Sequence, residues 1–266
     1  MATEARPATR VMLDIDGVLT VSWRPLPGAV DTIRWLNGRQ TDYRLVTNTS
    51  SRTRRQIAEL LAAAGMEVEL RRVQTAVTAA ARYLAEHHPG AGCLFLNEGD
   101  VREDLEGVTL VEAADADVVL LGGAGPGVGY SQLDGVFKRA LDGVPVVALH
   151  RNTRYQTDEG PALDMGAFVV ALEAAAAIEV TVVGKPAPSF FEAGLSGLDA
   201  EPASAVMVGD DLVSDVLGAQ EVGITGVLVR TGKFRPTDLE HASSRPDHVI
   251  DAIGELPELV DRLDGT

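Results

Sequence analysis

Residues 11–20 read Val-Met-Leu-Asp-Ile-Asp-Gly-Val-Leu-Thr. Three apolar residues run into Asp14, Asp16 follows after one more, and Gly17 breaks the run. A short apolar run closed by a turn signal reads as a strand buried on both faces, the kind found in parallel α/β sheets. Such sheets bind ligands outside the carboxyl ends of their strands. Asp14 and Asp16 are therefore expected at the mouth of a sheet, pointing roughly the same way, because they lie two apart on an extended chain. Carboxylates so placed repel and raise each other's pKa. Mg²⁺, which needs only one or two carboxylates plus phosphate and water, removes that conflict. Taken alone, such a pair is more often two solvated acids at a turn. The rest of the chain reverses that reading.

Polar groups recur at three further strand ends. A strand at 43–46 runs into Thr47-Asn48-Thr49-Ser50-Ser51, which can cap a helix and bind an anion at the same helix N-terminus. A strand at 180–183 runs into Gly184-Lys185-Pro186, where proline stops the strand and holds Lys185 at its exit. A buried run at 205–208 ends in Gly209-Asp210-Asp211, with Asp215 four residues on. Helical patterns over 28–38 and 52–64 alternate with the first strands, which implies a doubly wound parallel sheet.

From about 75 the pattern starts afresh. A helix at 75–87, strands at 93–97, 118–122 and 144–149, and helices at 131–141 and 167–177 make a second α/β unit. The expected organisation is a discontinuous core, 1–75 and 178–266, with an inserted domain, 76–177. The glycine-rich loop at 122–129 matches neither a dinucleotide fingerprint nor a P-loop, and reads as a strand–helix turn. The polar loop at 150–166, with Arg151, Asn152, Arg154, Tyr155 and Asp158, reads equally as a solvated loop or a substrate contact.

Composition removes other classes. A net charge of −16 argues against nucleic-acid binding, which needs a basic footprint. The most apolar long stretch, 167–183, contains Glu173 and Glu179 and does not read as a membrane span. A single cysteine, Cys93, excludes an internal disulfide framework and points to a reducing, cytoplasmic compartment. The five histidines lack zinc-ligand spacing. Residues 1–9 read as a short flexible arm.

The four motifs together resemble those of the haloacid dehalogenase (HAD) superfamily of phosphohydrolases: Asp14-Ile15-Asp16-Gly17-Val18-Leu19-Thr20, Val46-Thr47-Asn48, Gly184-Lys185-Pro186, and Gly209-Asp210-Asp211 with Asp215. The insertion is similar to the C2 cap of subfamily IIA. The resemblance implies an α/β fold, a Rossmann-like core with an inserted C2 cap. It implies a Mg²⁺-dependent phosphatase of small phosphorylated metabolites, working through an aspartyl-phosphate. Asp14 is then the nucleophile and Asp16 the general acid and base. Thr47 and Asn48 donate to phosphoryl oxygens, and Lys185 offsets negative charge. Asp14, the Asp16 backbone carbonyl and Asp210 hold the metal, with Asp211 and Asp215 orienting it. Arg151 and Tyr155 are the cap residues expected to meet substrate, and the cap offers a homodimer face.

The phosphoamide- and pyrophosphate-cleaving branch of the same subfamily supplies an alternative reaction. Two readings of other classes remain. A receiver-like signalling module also clusters Asp, Thr and Lys on a doubly wound sheet, but lacks a counterpart of Asp16 and an insertion of this size. A binding protein without catalysis would keep the scaffold, and the intact motifs argue against it.

Overall fold

The computed structural model describes residues 9–39, 41–157, 160–241 and 244–265. The sequence expectations for residues 1–8 and for Asp158 lie outside the described residues. The chain forms two compact units. The first falls within Met1–Thr47, Arg54–Gln74 and Phe190–Thr266, and the second comprises Asn48–Thr53 and Thr75–Ser189.

The first unit is organised by Arg10–Asp14, whose last four residues are buried. It pairs in parallel with Tyr43–Thr47 on one side and Ala205–Gly209 on the other. Thr225–Val229 and His248–Ile250 extend the sheet, also in parallel, and Val73–Thr75 forms the opposite edge. Numbered along the chain, the six strands lie in the order 3-2-1-4-5-6. The order reverses between Arg10–Asp14 and Ala205–Gly209, and the crevice at such a reversal is where doubly wound sheets bind ligands. Val11 and Leu13 pack with Ile33, Leu36, Ile57, Val206, Val208 and Leu259 in one core cluster. Met12, facing the other way, lies so close to Gly194 of the helix Pro188–Leu198 that a β-carbon there would touch its thioether.

The second unit has its own five-stranded parallel sheet. Its order is Thr181–Val182, Val146–Ala148, Val118–Leu121, Gly92–Leu96, Thr109–Leu110. Along Val118–Leu121 the side chains alternate between two cores. Val118 and Leu120 join Cys93 and the helix Ala76–His87, while Val119 and Leu121 join Val136 and Val169 of the helices Tyr130–Leu141 and Met165–Ala176. Both faces are covered, as a parallel sheet requires. The strand expected at 180–183 belongs to this sheet and not to the first.

Several features went unread in the sequence, the short strand Thr109–Leu110 among them. Val73–Thr75 is too short to show a period. The loop after Gly17 folds into a two-residue ladder, Thr20–Val21 against Arg24–Pro25. The polar loop contains an antiparallel hairpin, Arg154–Thr157 against Gly160–Leu163. No helix among the described residues is long and apolar enough to cross a membrane.

Leu120 is fully buried on the central strand of the second sheet. Leu120→Ala should cost about 2–5 kcal/mol, read as a lower urea midpoint.

Candidate active site

Parallel register assembles the site of the first unit. Asp14 pairs with Val46, and Leu13 pairs with Val208. Thr47 and Gly209-Asp210 therefore leave the sheet beside Asp14, at the carboxyl edge. Asp14, Thr47, Asp210 and Asp215 are all buried. A carboxylate oxygen from each of Asp14, Asp210 and Asp215 lies within 4.8 Å of the others.

Close approach demands glycine at three places. A β-carbon on Gly17 or on Gly232 would collide with the Asp210 carboxylate, and one on Gly209 with Asp215. Gly17 and Gly232 also take positive φ, +89° and +57°, a region side chains disfavour. The segment Thr231-Gly232-Lys233 closes round Asp210. The Lys233 amide donates to Asp210 Oδ2 at 2.6 Å, and Thr231 Oγ1 donates to the Gly17 carbonyl at 2.5 Å.

Burial, then the Asp14 carboxylate, then Asp215 push the Asp210 carboxyl up to about 7, against the relief from Lys233. Asp210 Oδ1 is buried without a hydrogen-bond partner. Three crowded carboxylates, with that Asp210 oxygen lacking a hydrogen-bond partner, fit a hard dication with oxygen ligands, and Asp14, Asp210 and Asp215 would hold it.

The other acids part company with this group. Asp211 turns away and caps the helical turn that follows, accepting from the Val213 and Ser214 amides at 3.2 and 2.9 Å. Its own amide donates to Asp215 Oδ2 at 3.2 Å, which helps to hold Asp215 in place. Asp215, expected behind the metal ligands, brings a carboxylate oxygen within 4.8 Å of those of Asp14 and Asp210. Asp16 is exposed while Asp14 is buried. The cause is local. The strand stops at Asp14, and the chain turns as the Leu19 and Thr20 amides both donate to the Ile15 carbonyl.

Lys233 is a site residue the sequence reading passed over. Desolvation works against its charge, but Asp14, Asp210, Asp211 and Asp215 outweigh it and raise its pKa. Its side chain is 64% exposed, and its ammonium is 3.9 Å from Asp211 Oδ2. The run Thr231-Gly232-Lys233, just beyond the strand Thr225–Val229, was the available signal.

In the second unit the Asn48 amide forms a two-way clamp. It accepts from the Lys185 amide at 2.8 Å and donates to the Lys185 carbonyl at 2.9 Å. Asn48, expected as a phosphoryl donor, is thus engaged at both its oxygen and its nitrogen by the backbone of Lys185. Gly184 is obligatory here, because a β-carbon would strike the Leu149 carbonyl and the Asn48 amide. Lys185 itself is buried. Arg151, expected to meet substrate, is bound instead to Glu173 of the helix Met165–Ala176, at 3.0 and 2.5 Å. Tyr155 is exposed on the hairpin. The glycine-rich loop runs from Val118–Leu121 to Tyr130–Leu141 as a turn, and its Gly122 and Gly123 make room for Asn97 and Ser50.

Comparison with known proteins agrees with this architecture. Residues 11–110 match the family model for haloacid dehalogenase-like hydrolases, and residues 182–256 match a second model of HAD-like hydrolases. Human haloacid dehalogenase-like hydrolase domain-containing protein 2 is 36% identical over 258 residues, 97% of this chain and 96% of its own. Rat phospholysine phosphohistidine inorganic pyrophosphate phosphatase is 33% identical over 256 residues, 94% of this chain and 93% of its own. The crystal structure of 4-nitrophenylphosphatase from Thermotoga maritima superposes with a TM-score of 0.88 at 26% identity, covering 96% and 98% of the two chains. The chain belongs to the haloacid dehalogenase-like hydrolase family.

The raised pKa of Asp210 has a signed consequence. The folded protein keeps this proton up to about pH 7, whereas an ordinary aspartate releases it near 3.8. Between those values the folded state binds more protons, so its stability falls as pH rises. In EDTA, Asp210→Asn should melt above wild type at pH 8, and the gap should close towards pH 4. Added Mg²⁺ should reverse the order at pH 8.

Proposed function

We propose that this phosphohydrolase cleaves small phosphorylated metabolites with Mg²⁺, through a phosphoryl group carried on Asp14. The observation behind this reading is the buried group Asp14, Asp210 and Asp215 at the switch point of the sheet, with the idle Asp210 Oδ1 among them. When bound, the dication would neutralise charge that builds on the transferring phosphoryl group.

The chain's own residues supply the remainder. An Asp14 carboxylate oxygen attacks phosphorus, the bond to the leaving oxygen breaks, and Asp16 gives that oxygen its proton. Asp16 then takes a proton from water, and the hydroxide formed displaces phosphate from Asp14. The different surroundings of Asp14 and Asp16 suit these roles: a buried carboxylate, fixed in place, and an exposed one able to trade protons. Thr47 offers a hydroxyl donor to a phosphoryl oxygen. Lys185 supplies positive charge, with Asn48 holding its backbone. Phosphoryl transfer depends mainly on such positioning and charge neutralisation. A reducing, cytoplasmic setting suits Cys93, a buried thiol whose pKa burial raises to about 11.

A second reaction has one observation in its favour, the 33% identity to a phosphatase named for phospholysine, phosphohistidine and pyrophosphate. It uses the same residues with nitrogen or phosphate as the leaving group.

The deciding assay is phosphate release from para-nitrophenyl phosphate. Wild type should turn over with Mg²⁺ and stop in EDTA. Lys185→Met should lose on the order of 10²–10³ in kcat, and Asp14→Asn more, since it removes the attacking group. Turnover by Asp14→Asn equal to wild type would sink the mechanism. Imidodiphosphate hydrolysed faster than sugar phosphates would favour the second reaction.

A further inference from the structure

The first unit holds a cavity of about 310 Å³ at the edge of its sheet where the strands begin. Asp42 to Arg44 lie where the strand Tyr43–Thr47 starts, and Arg71 and Arg72 precede the strand Val73–Thr75. The far wall is the end of the helix Pro188–Leu198. At about 3.3 Å per residue, Tyr43 lies about 13 Å along its strand from Thr47. The acid cluster stands at the opposite, carboxyl edge, so the cavity is separate from it.

Three guanidiniums line this cavity, those of Arg44, Arg71 and Arg72, in a chain whose net charge is −16. Two of them are fixed before any ligand arrives. Arg44 donates to the Gly197 carbonyl at 3.2 Å and to Gln74 Oε1 at 3.4 Å. Gly197 must be glycine, because a β-carbon there would strike the Arg44 guanidinium. Arg72 donates to the Tyr43 carbonyl at 3.2 Å and lies over the Tyr43 ring, 4.4 Å from its centroid. Arg71 is exposed and grips Glu69, itself exposed, at 2.6 and 3.2 Å. An exposed ion pair contributes little, so Arg71 can turn to a stronger acceptor at small cost.

Two carboxylates, Asp42 and Asp199, share the lining. Arg10 Nε stands 3.7 Å from Asp42 Oδ2 and offsets part of its charge, and Asp199 is exposed. These acids disfavour a bare anion but accept hydrogen bonds from hydroxyl groups. Guanidiniums match phosphate with paired donors. The ligand that satisfies both sets carries a phosphate and several hydroxyls, and the volume admits more than an ion.

We propose that this cavity is a second ligand site, apart from the catalytic group, which binds a sugar phosphate. Arg44, Arg71 and Arg72 face the phosphate, and Asp42 and Asp199 accept from the sugar hydroxyls. The site does not depend on which reaction the acid cluster performs.

The test titrates ribose 5-phosphate, ribose and inorganic phosphate into the intact chain by calorimetry, in EDTA. Without a dication the acid cluster repels anions, which keeps the catalytic group out of the measurement. Wild type should bind ribose 5-phosphate more tightly than inorganic phosphate, and ribose should give no heat. Arg71→Gln alters an exposed side chain and should raise the Kd for ribose 5-phosphate about tenfold. Asp199→Asn removes a charge while keeping an acceptor oxygen, and should lower the Kd for inorganic phosphate. Lys185→Met should change neither value. Absence of ribose 5-phosphate binding by wild type would overturn the proposal. So would binding that survives in Arg71→Gln and is lost in Lys185→Met, since the ligand would then sit at the catalytic group. Inorganic phosphate binding as tightly as ribose 5-phosphate would overturn the sugar assignment in favour of a bare anion site.

Discussion

Three carboxylates brought together out of water repel one another, and the first unit is arranged so that they stay together. Asp14 and Asp210 arrive from neighbouring parallel strands, and Asp215 from the turn after the second. Gly17, Gly209 and Gly232 leave the space that any side chain would take. Among the described residues of this unit, Lys233 is drawn to all three acids, against the cost of its own desolvation. A dication would relieve the crowding of the three acids, and a buried oxygen on Asp210 that lacks a hydrogen-bond partner would give it a ligand. The upward shift of Asp210 measures the same strain from the proton's side: without a cation, the carboxylate prefers to hold a proton.

The second unit handles its charge by different means. Lys185 is buried, and its backbone is gripped on both sides by a single amide, that of Asn48. Asn97 does similar work nearby, donating to the Ser50 carbonyl at 2.9 Å and accepting from the Gly123 amide at 2.7 Å. Short polar side chains thus fix the loops that follow strand ends. A lysine whose backbone is held on both sides presents its charge from a fixed origin, which suits the charge neutralisation proposed for it.

What could be read in advance follows from how local each signal is. The strands Arg10–Asp14 and Ala205–Gly209 are continuous buried runs, and their ends announce themselves by Gly-Asp and Asp-Gly steps. The four clusters at strand ends were legible for that reason. The roles of individual side chains were less so. Asn48 and Arg151 are polar residues in plausible places, but each had a nearer partner, the Lys185 backbone and Glu173, that no local pattern discloses. The hairpin was hidden because Arg154-Tyr155-Gln156-Thr157, which pairs with Gly160–Leu163, is polar and short. The strand Thr181–Val182 was readable as a strand, but two residues do not reveal which sheet will take them.

The environments of Asp14 and Asp16 carry the argument from architecture to chemistry. Spacing alone would make them equivalent, since both sit on one apolar run two residues apart. The strand instead ends at Asp14, and the turn sealed on the Ile15 carbonyl carries Asp16 out to solvent. One carboxylate therefore shares a buried cluster with Asp210 and Asp215, and the other does not. A nucleophile must stay ionised and fixed, which suits the member placed where a cation can stabilise its charge. An acid–base group must exchange protons, which suits the member in contact with water. On the proposed mechanism, a turn of a few residues, and not the spacing, thus fits two chemically identical side chains to two roles.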